Sequence, residues 1–204
     1  MNERRKMIAR ALCCGLVLAA CLGWLRTAGT AEQLPENLLR LHVVANSDSE
    51  ADQALKLQVR DAVLQEAGQW CRDAESMEEA NVLLCTHLEG ITLAAEDVVR
   101  REGFSDRVRA QVTEEYYPTR QYEGFTLPAG RYRSLRVTIG EGEGRNWWCV
   151  VFPPLCTAAS GDVPAAALAA GLTEDQVGLI TESEGYVLKS KAVEFWQSLR
   201  ERWD

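Results

Sequence analysis

Residues Asn146-Trp147-Trp148-Cys149-Val150-Val151-Phe152-Pro153-Pro154-Leu155-Cys156 set two adjacent tryptophans, two cysteines and a double proline in one short run. Neighbouring residues on a strand point to opposite faces. If Trp147 lies in the core, Trp148 stands on the other face. So large an aromatic on an outer face needs cover, from this chain or from another protein. The run carries no set of groups suited to acid–base or nucleophilic chemistry, which directs the reading toward binding.

The chain has 204 residues, enough for one domain with an anchor or an appendage. Its formal charge of −8, with no Lys/Arg cluster beyond the N-terminus, argues against nucleic-acid binding. Arg4, Arg5, Lys6 and Arg10 precede an uncharged, mainly apolar run from Ala11 to Leu25. A membrane span needs ~20 residues; this run is shorter and suits the apolar region of an export signal. Three outcomes stay open: cleavage after Ala31, retention of residues 11–25 as a tilted anchor, or lipidation of Cys21 within Leu18-Ala19-Ala20-Cys21. Beyond residue 31 there remain 17 basic and 29 acidic side chains, a net of −12. An anionic membrane repels such a body, so membrane contact is expected only through the N-terminal segment.

Cys13, Cys14 and Cys21 lie in that segment, and Cys71, Cys85, Cys149 and Cys156 lie beyond it. Export permits disulfides. Cys149 and Cys156 flank the Pro153-Pro154 turn and are the candidate pair; four separate buried thiols is the competing reading. No CxxC is present, and His42 and His87 are not spaced as metal ligands with the cysteines. No metal and no cofactor are expected.

The pattern implies an α+β fold, with an N-terminal strand and helices packed on a mainly antiparallel sheet, and a C-terminal helix. Residues 38–45 read as a strand, with Arg40 and His42 on one face and Leu39, Leu41 and Val43 on the other. A helix from about Ser49 to Ala67 carries a stripe at Ala51, Leu55, Val59, Ala62 and Val63. Leu57 and Leu64 fall on its opposite side, where cover by the chain itself is the favoured outcome. Ser76 and Glu79 form a capping box. The helical text after them is interrupted at Gly90 and ends at Gly103. Val108, Ala110 and Val112 alternate as in a half-buried strand. Residues 116–130 read as a loop and Arg131–Ile139 as a strand. Gly140–Arg145 then reads as a hairpin connection into a strand from Trp147. Residues 157–185 read as an Ala/Gly-rich flexible or marginally helical insert. Residues 186–204 read as a short strand and an amphipathic helix bearing Ala192, Trp196, Leu199 and Trp203.

Several chemistries fail on spacing. Asn46, Asp48, Glu50 and Asp52 alternate like a calcium loop, but Ala51 and Leu57 replace its glycine and its last acid; helix capping accounts for them better. Gly140-x-Gly142-x-Gly144 lacks the last glycine of a dinucleotide fingerprint, and a strand follows it. There is no GxSxG elbow. No enzymatic activity and no small-molecule substrate are expected.

Three blocks carry a resemblance. Leu41-His42-Val43-Val44-Ala45-Asn46-Ser47-Asp48-Ser49 with Asp52 to Val63, Pro128-Ala129-Gly130-x-Tyr132, and Ile139 to Cys156 resemble the stage II sporulation protein R family over residues 38–156. The divisions are then residues 1–31 as signal or anchor, 32–156 as the domain, 157–185 as the insert and 186–204 as the tail. The resemblance implies a protein made in the forespore and exported into the space between forespore and mother cell. There it would activate a membrane-embedded aspartic protease that processes the sigma-E precursor. A surface-attached lipoprotein binding module and an exported hydrolase using His42 are the competing classes. Candidate protein contacts are Trp147, Trp148, Tyr116, Tyr117 and the Asn46-Ser47-Asp48 turn. Helix capping is the favoured role of that turn.

Overall fold

A computed structural model describes residues 3–156 and 162–181. Helix α1 (Glu3–Gln33) runs into a 3-10 turn (Leu34–Asn37), then strand β1 (Leu39–Val44), helices α2 (Glu50–Cys71), α3 (Met77–Thr86) and α4 (Leu88–Arg101). Strands β2 (Val108–Tyr117), β3 (Arg120–Tyr122), β4 (Phe125–Leu127), β5 (Gly130–Ile139) and β6 (Asn146–Phe152) follow, then helices α5 (Val163–Ala169) and α6 (Glu174–Thr181). Strands β2-β5-β1-β6 form one mixed sheet in that order, and β3-β4 form a separate ribbon. The α+β expectation holds. Among the described residues no helix is long and apolar enough to cross a membrane.

The interior position of β1 organises the sheet. It runs parallel to β5 and antiparallel to β6, and all six of its residues are buried. Leu39, Leu41 and Val43 face the helical layer, where they meet Leu55, Val59 and Val63 of α2 and Ile91, Ala95 and Val99 of α4. The opposite face is closed by a second layer in which Leu34, Leu38, Tyr117, Leu127, Tyr132, Val150, Ala167 and Ile180 pack together.

This arrangement overturns the expected β5–β6 hairpin. β1 lies between the two strands, and residues 140–145 arch over its end instead of turning between neighbours. A strand buried on both faces needs a partner on each edge, or its backbone groups go unpaired. The expected loop at 116–130 is also corrected. β2 continues to Tyr117, and the β3–β4 ribbon buries Phe125, Thr126 and Leu127.

Helix ends follow local chemistry. The Ser49 hydroxyl accepts from Asp52 N–H at 3.1 Å. Ser76 Oγ accepts from Glu79 N–H at 3.2 Å, and the Glu79 carboxylate reaches back to Glu75 N–H at 2.9 Å. The helical break falls at His87, not Gly90; the His87 ring stacks on Trp70 with centroids 3.4 Å apart. Gly103, at φ +82, ends α4 with its N–H on Arg100 O while Phe104 N–H returns to Val99 O. The α2 stripe runs on through Ala67 to Cys71, and Ala51 is exposed. Leu64 packs against the core, whereas Leu57 stays 37% exposed.

The insert expected at 157–185 contributes α5 and α6, whose Ala167, Val177 and Ile180, with Leu172 between the helices, close the second core. The tail at 186–204 lies outside the described residues.

Two glycines predict opposite outcomes. A Cβ on Gly144 would press into the Ser47 carbonyl, which is backbone and cannot swing away. Gly144→Ala is expected to cost about 1–3 kcal/mol. Gly68, inside α2, has nothing near its Cβ position, so Gly68→Ala should gain about 0.5–1 kcal/mol. Urea midpoints of the two variants against the parent chain check both signs.

Candidate functional site

The Asn46-Ser47-Asp48 turn at the end of β1 is tied to the glycine-rich connection. Glu143 N–H donates to Asn46 O at 3.1 Å and Gly144 N–H to Ala45 O at 3.0 Å. Asn46 Oδ1 accepts from Glu141 N–H at 3.0 Å, and Asp48 Oδ1 from Arg145 N–H at 2.7 Å. Gly140 and Gly142 take positive φ values of 59 and 70 here, a conformation that favours glycine. Beneath the turn, Ser47 Oγ donates to Asp52 Oδ2 at 2.5 Å and Asn46 Nδ2 donates to the same oxygen at 3.2 Å. The Ser47 hydrogen bond, with Asn46 and Ser49 adding to it, outweighs burial and holds the Asp52 carboxyl below its ordinary value. Lys56, also buried, donates to Arg145 O at 2.9 Å. The cap of α2 is Ser49, just beyond this turn; the turn itself holds the Asp52 carboxylate and fastens the 140–145 arch, a duty that local sequence did not disclose.

The arch delivers the tryptophans. Trp147 pairs with Val43 and is 36% exposed, with the Arg60 guanidinium 4.4 Å from its ring centroid. Trp148 pairs with His42 on the other face, where Arg120 lies 3.7 Å over its ring. A cavity of about 480 Å³ opens between Arg120, Tyr122, Arg145, Trp147 and Trp148. The two rings do take opposite faces, but neither is a plain core residue. Trp148 packs half-buried against the second core, and Trp147 stands exposed on the helical face against Arg60.

Neither tyrosine candidate adds to this exposed surface, although the Tyr117 ring packs edge-on against Trp148. Tyr117 is 1% exposed and hydrogen-bonds Ser134 Oγ at 2.6 Å, so it is removed from the contact set. Tyr116 is 52% exposed but pairs with Arg131 at the start of β5, on the far edge and at the opposite end of the sheet.

The sheet face beneath Trp148 holds polar groups that sequence patterning left unassigned. Arg40 is fully buried. Its Nε donates to Cys149 O at 3.0 Å and its Nη2 to Tyr122 Oη at 2.5 Å. The guanidinium carbon lies 4.2 Å from the Tyr117 centroid and 5.0 Å from that of Tyr132. Burial pushes the Tyr122 hydroxyl up to about 12. His42 Nδ1 lies 3.1 Å from both Glu115 oxygens, and Nε2 lies 2.8 Å from Asn146 Oδ1. Arg136 Nη1 donates to Glu115 at 2.8 Å. Burial raises the Glu115 carboxyl, but the His42 contact and Arg136 outweigh it and leave the carboxyl below its ordinary value. The only sequence signal for this cluster was the density of tyrosines between 116 and 132.

His42 therefore engages a carboxylate and an amide, with Tyr117 and Trp148 against its ring; it does not touch a nucleophile. Among the described residues no group of His, Cys, Asp and Glu is arranged to hold a metal. Cys149 and Cys156 do meet, as free thiols hydrogen-bonded to each other. What the arrangement offers is a rigid, half-exposed aromatic and cationic surface suited to binding.

The Asp52 bonds generate a pH prediction. Ser47→Ala removes the bond that most lowers the Asp52 pKa and should cost about 1.5–3 kcal/mol at neutral pH. A depressed carboxylate gives stability that is present above its unfolded value and fades as pH falls through the folded one. The deficit of the variant should therefore shrink in acid, read from urea midpoints at neutral and strongly acidic pH.

The blocks that meet at the end of β1 lie within residues 35–161, which match the family model described as Stage II sporulation protein R. The chain is also 37% identical over 148 residues to Stage II sporulation protein R of Bacillus subtilis (strain 168). That alignment covers 69% of this chain and 66% of the relative, just under two thirds of the relative's length. No solved structure matches the chain. By the extent of the family match, this chain belongs to the stage II sporulation protein R family.

Proposed function

We propose that this chain is a signalling protein of sporulation, exported from the forespore, that switches on a membrane-embedded aspartic protease. The protease then shortens the sigma-E precursor in the mother cell. Family membership over residues 35–161 is the observation that carries the reading. The four cations ahead of the uncharged Ala11–Leu25 run support export into the space between the two cells. The acidic body is held off anionic lipids, which favours docking on a part of the protease that projects from the membrane.

A ligand activates by binding one conformation of its target more tightly than the other. The part of this molecule fitted to such work is the end of β1, with Trp147 at the rim and Arg60, Arg120 and Arg145 around it. Tryptophan and arginine carry much of the binding energy in protein interfaces. Trp147 follows directly on the arch, whose backbone hydrogen bonds fix where it stands, so docking orders little that is not already ordered.

The test is a reconstitution. The chain, with its export segment, is co-expressed with the cognate protease and a tagged sigma-E precursor in a host lacking all three. Shortening of the precursor that depends on this chain is the expected result. Export of a folded chain without shortening would sink the proposal. Trp147→Ala should reduce processing roughly tenfold or more, as loss of an interface anchor does, while its circular dichroism and urea midpoint stay near those of the parent.

A further inference from the structure

Arg40 is a fully buried cation, and none of the ion pairs among the described residues includes it. Its Nη1 is also buried without a hydrogen-bond partner among the described residues. A buried charge with no opposite charge is costly. Its hydrogen bonds go to Tyr122 and to the backbone of Cys149, one of two neighbouring cysteines. Arg40 Nε holds the Cys149 carbonyl at 3.0 Å. After β6 the chain turns at Pro153-Pro154, with Leu155 N–H on Pro153 O at 2.7 Å. The turn returns Cys156 to the strand, where its sulfur accepts from Val150 N–H at 3.2 Å. The Cys149 and Cys156 thiols then hydrogen-bond each other.

From this juxtaposition we propose that Cys149 and Cys156 are a redox-active pair, converted by an external disulfide into an intramolecular disulfide beside Arg40. The hydrogen bond from Cys156, with Arg40 adding to it, holds Cys149 below the usual thiol value; the same bond pushes Cys156 well above it. The pair therefore loses its first proton more readily than an isolated thiol, and the two sulfurs share the one that remains. Cys71, in the helical layer, lacks this environment, and burial pushes its thiol up to about 11.

The reaction balances with a disulfide as oxidant. Once the pair has lost its first proton to the buffer, Cys156, the more exposed of the two, attacks one sulfur of the oxidant while the remaining proton rests on Cys149. The S–S bond of the oxidant breaks, one thiol departs, and a mixed disulfide remains on Cys156. The Cys149 thiolate attacks the Cys156 sulfur, the mixed disulfide breaks, and the second thiol departs. Two electrons pass from the cysteines to the oxidant, and both cysteine protons end on the departing thiols.

The test uses the full chain, reduced and then exposed to glutathione disulfide in mildly alkaline buffer, denatured, alkylated and digested with trypsin. No Lys or Arg lies between Arg145 and Lys189, so both cysteines fall in one peptide, 146–189. That peptide is expected two hydrogens lighter and free of alkyl groups, while Cys71 and Cys85 are alkylated. Two alkyl groups on it, or a lasting glutathione adduct, overturn the proposal. Cys149→Ser should stop at a glutathione adduct on Cys156; a folded variant that gains none overturns the order of attack. Closure should be roughly tenfold faster in the folded chain than in urea, because the fold presents the thiols to each other. Equal rates would mean that it does not. The outcome is read without the protease, so it stands or falls apart from the signalling role.

Discussion

Everything in this molecule is arranged around covering β1 on four sides. Its faces are sealed by the helical layer and by the second core. Its edges are sealed by β5 and β6. Burying a Leu or Val side chain contributes ~1.5–3 kcal/mol, so Leu39, Leu41 and Val43 alone make the strand worth enclosing. The cost is topological. β1 comes first of the strands, and its partners come 94 residues later in β5 and 102 to 113 residues later in β6. Three helices and three further strands must be placed before its edges can close. Contacts of such separation are slow to form, and they require a connection from β5 to β6 that steps over β1 instead of turning tightly.

That connection explains why the turn after β1 and the glycines before β6 belong together. The arch passes so close to the turn that a side chain at Gly140 or Gly144 would collide with Asn46 or Ser47. The hydrogen bonds between them run mostly from the arch's backbone N–H groups to carbonyl or carboxylate oxygens of the turn. Two segments remote in sequence thus form a single structural feature, and it positions the tryptophans.

Local signals in the sequence were reliable because local physics sets them. The Ser49 and Ser76 caps, the Gly103 stop and the alternation of β2 and β5 each depend on residues a few positions apart. Two misreadings share another cause. Arg40 and His42 were set on one face with nothing assigned to cover it, and Gly140–Arg145 looked like a hairpin. Both follow from treating β1 as a strand with one buried face. Nothing near residues 38–45 signals that tyrosines at 117, 122 and 132 will enclose Arg40, or that Glu115 and Asn146 will take both nitrogens of His42. The same limit applied to the contact candidates. Trp147 and Trp148 were legible from strand alternation, whereas the separation of Tyr116 from them, and the burial of Tyr117, depend on which edge each strand occupies.

The edges themselves bear on how a partner can be met. β2 and β6 bound the sheet, and an open edge invites another strand. Along β2, Arg109 and Gln111 on one face and Glu114 on the other are exposed, and charged side chains on an edge discourage pairing. On β6 the register with β1 slips between Leu39 and Arg40, so Val150 opposes Arg40 and Phe152 opposes Leu39. The bulge lets Val151 and Phe152 both face the helical core, and it bends the strand beyond Cys149. A regular added strand therefore finds only the first residues of β6 to follow. Those residues are Asn146, Trp147 and Trp148, and what they present is side-chain surface more than backbone. Recognition at this end is thus better served by docking onto the aromatic rim than by strand addition. A rim held by the arch keeps the same shape before and after docking, as a ligand must if the conformational change is to occur in its target.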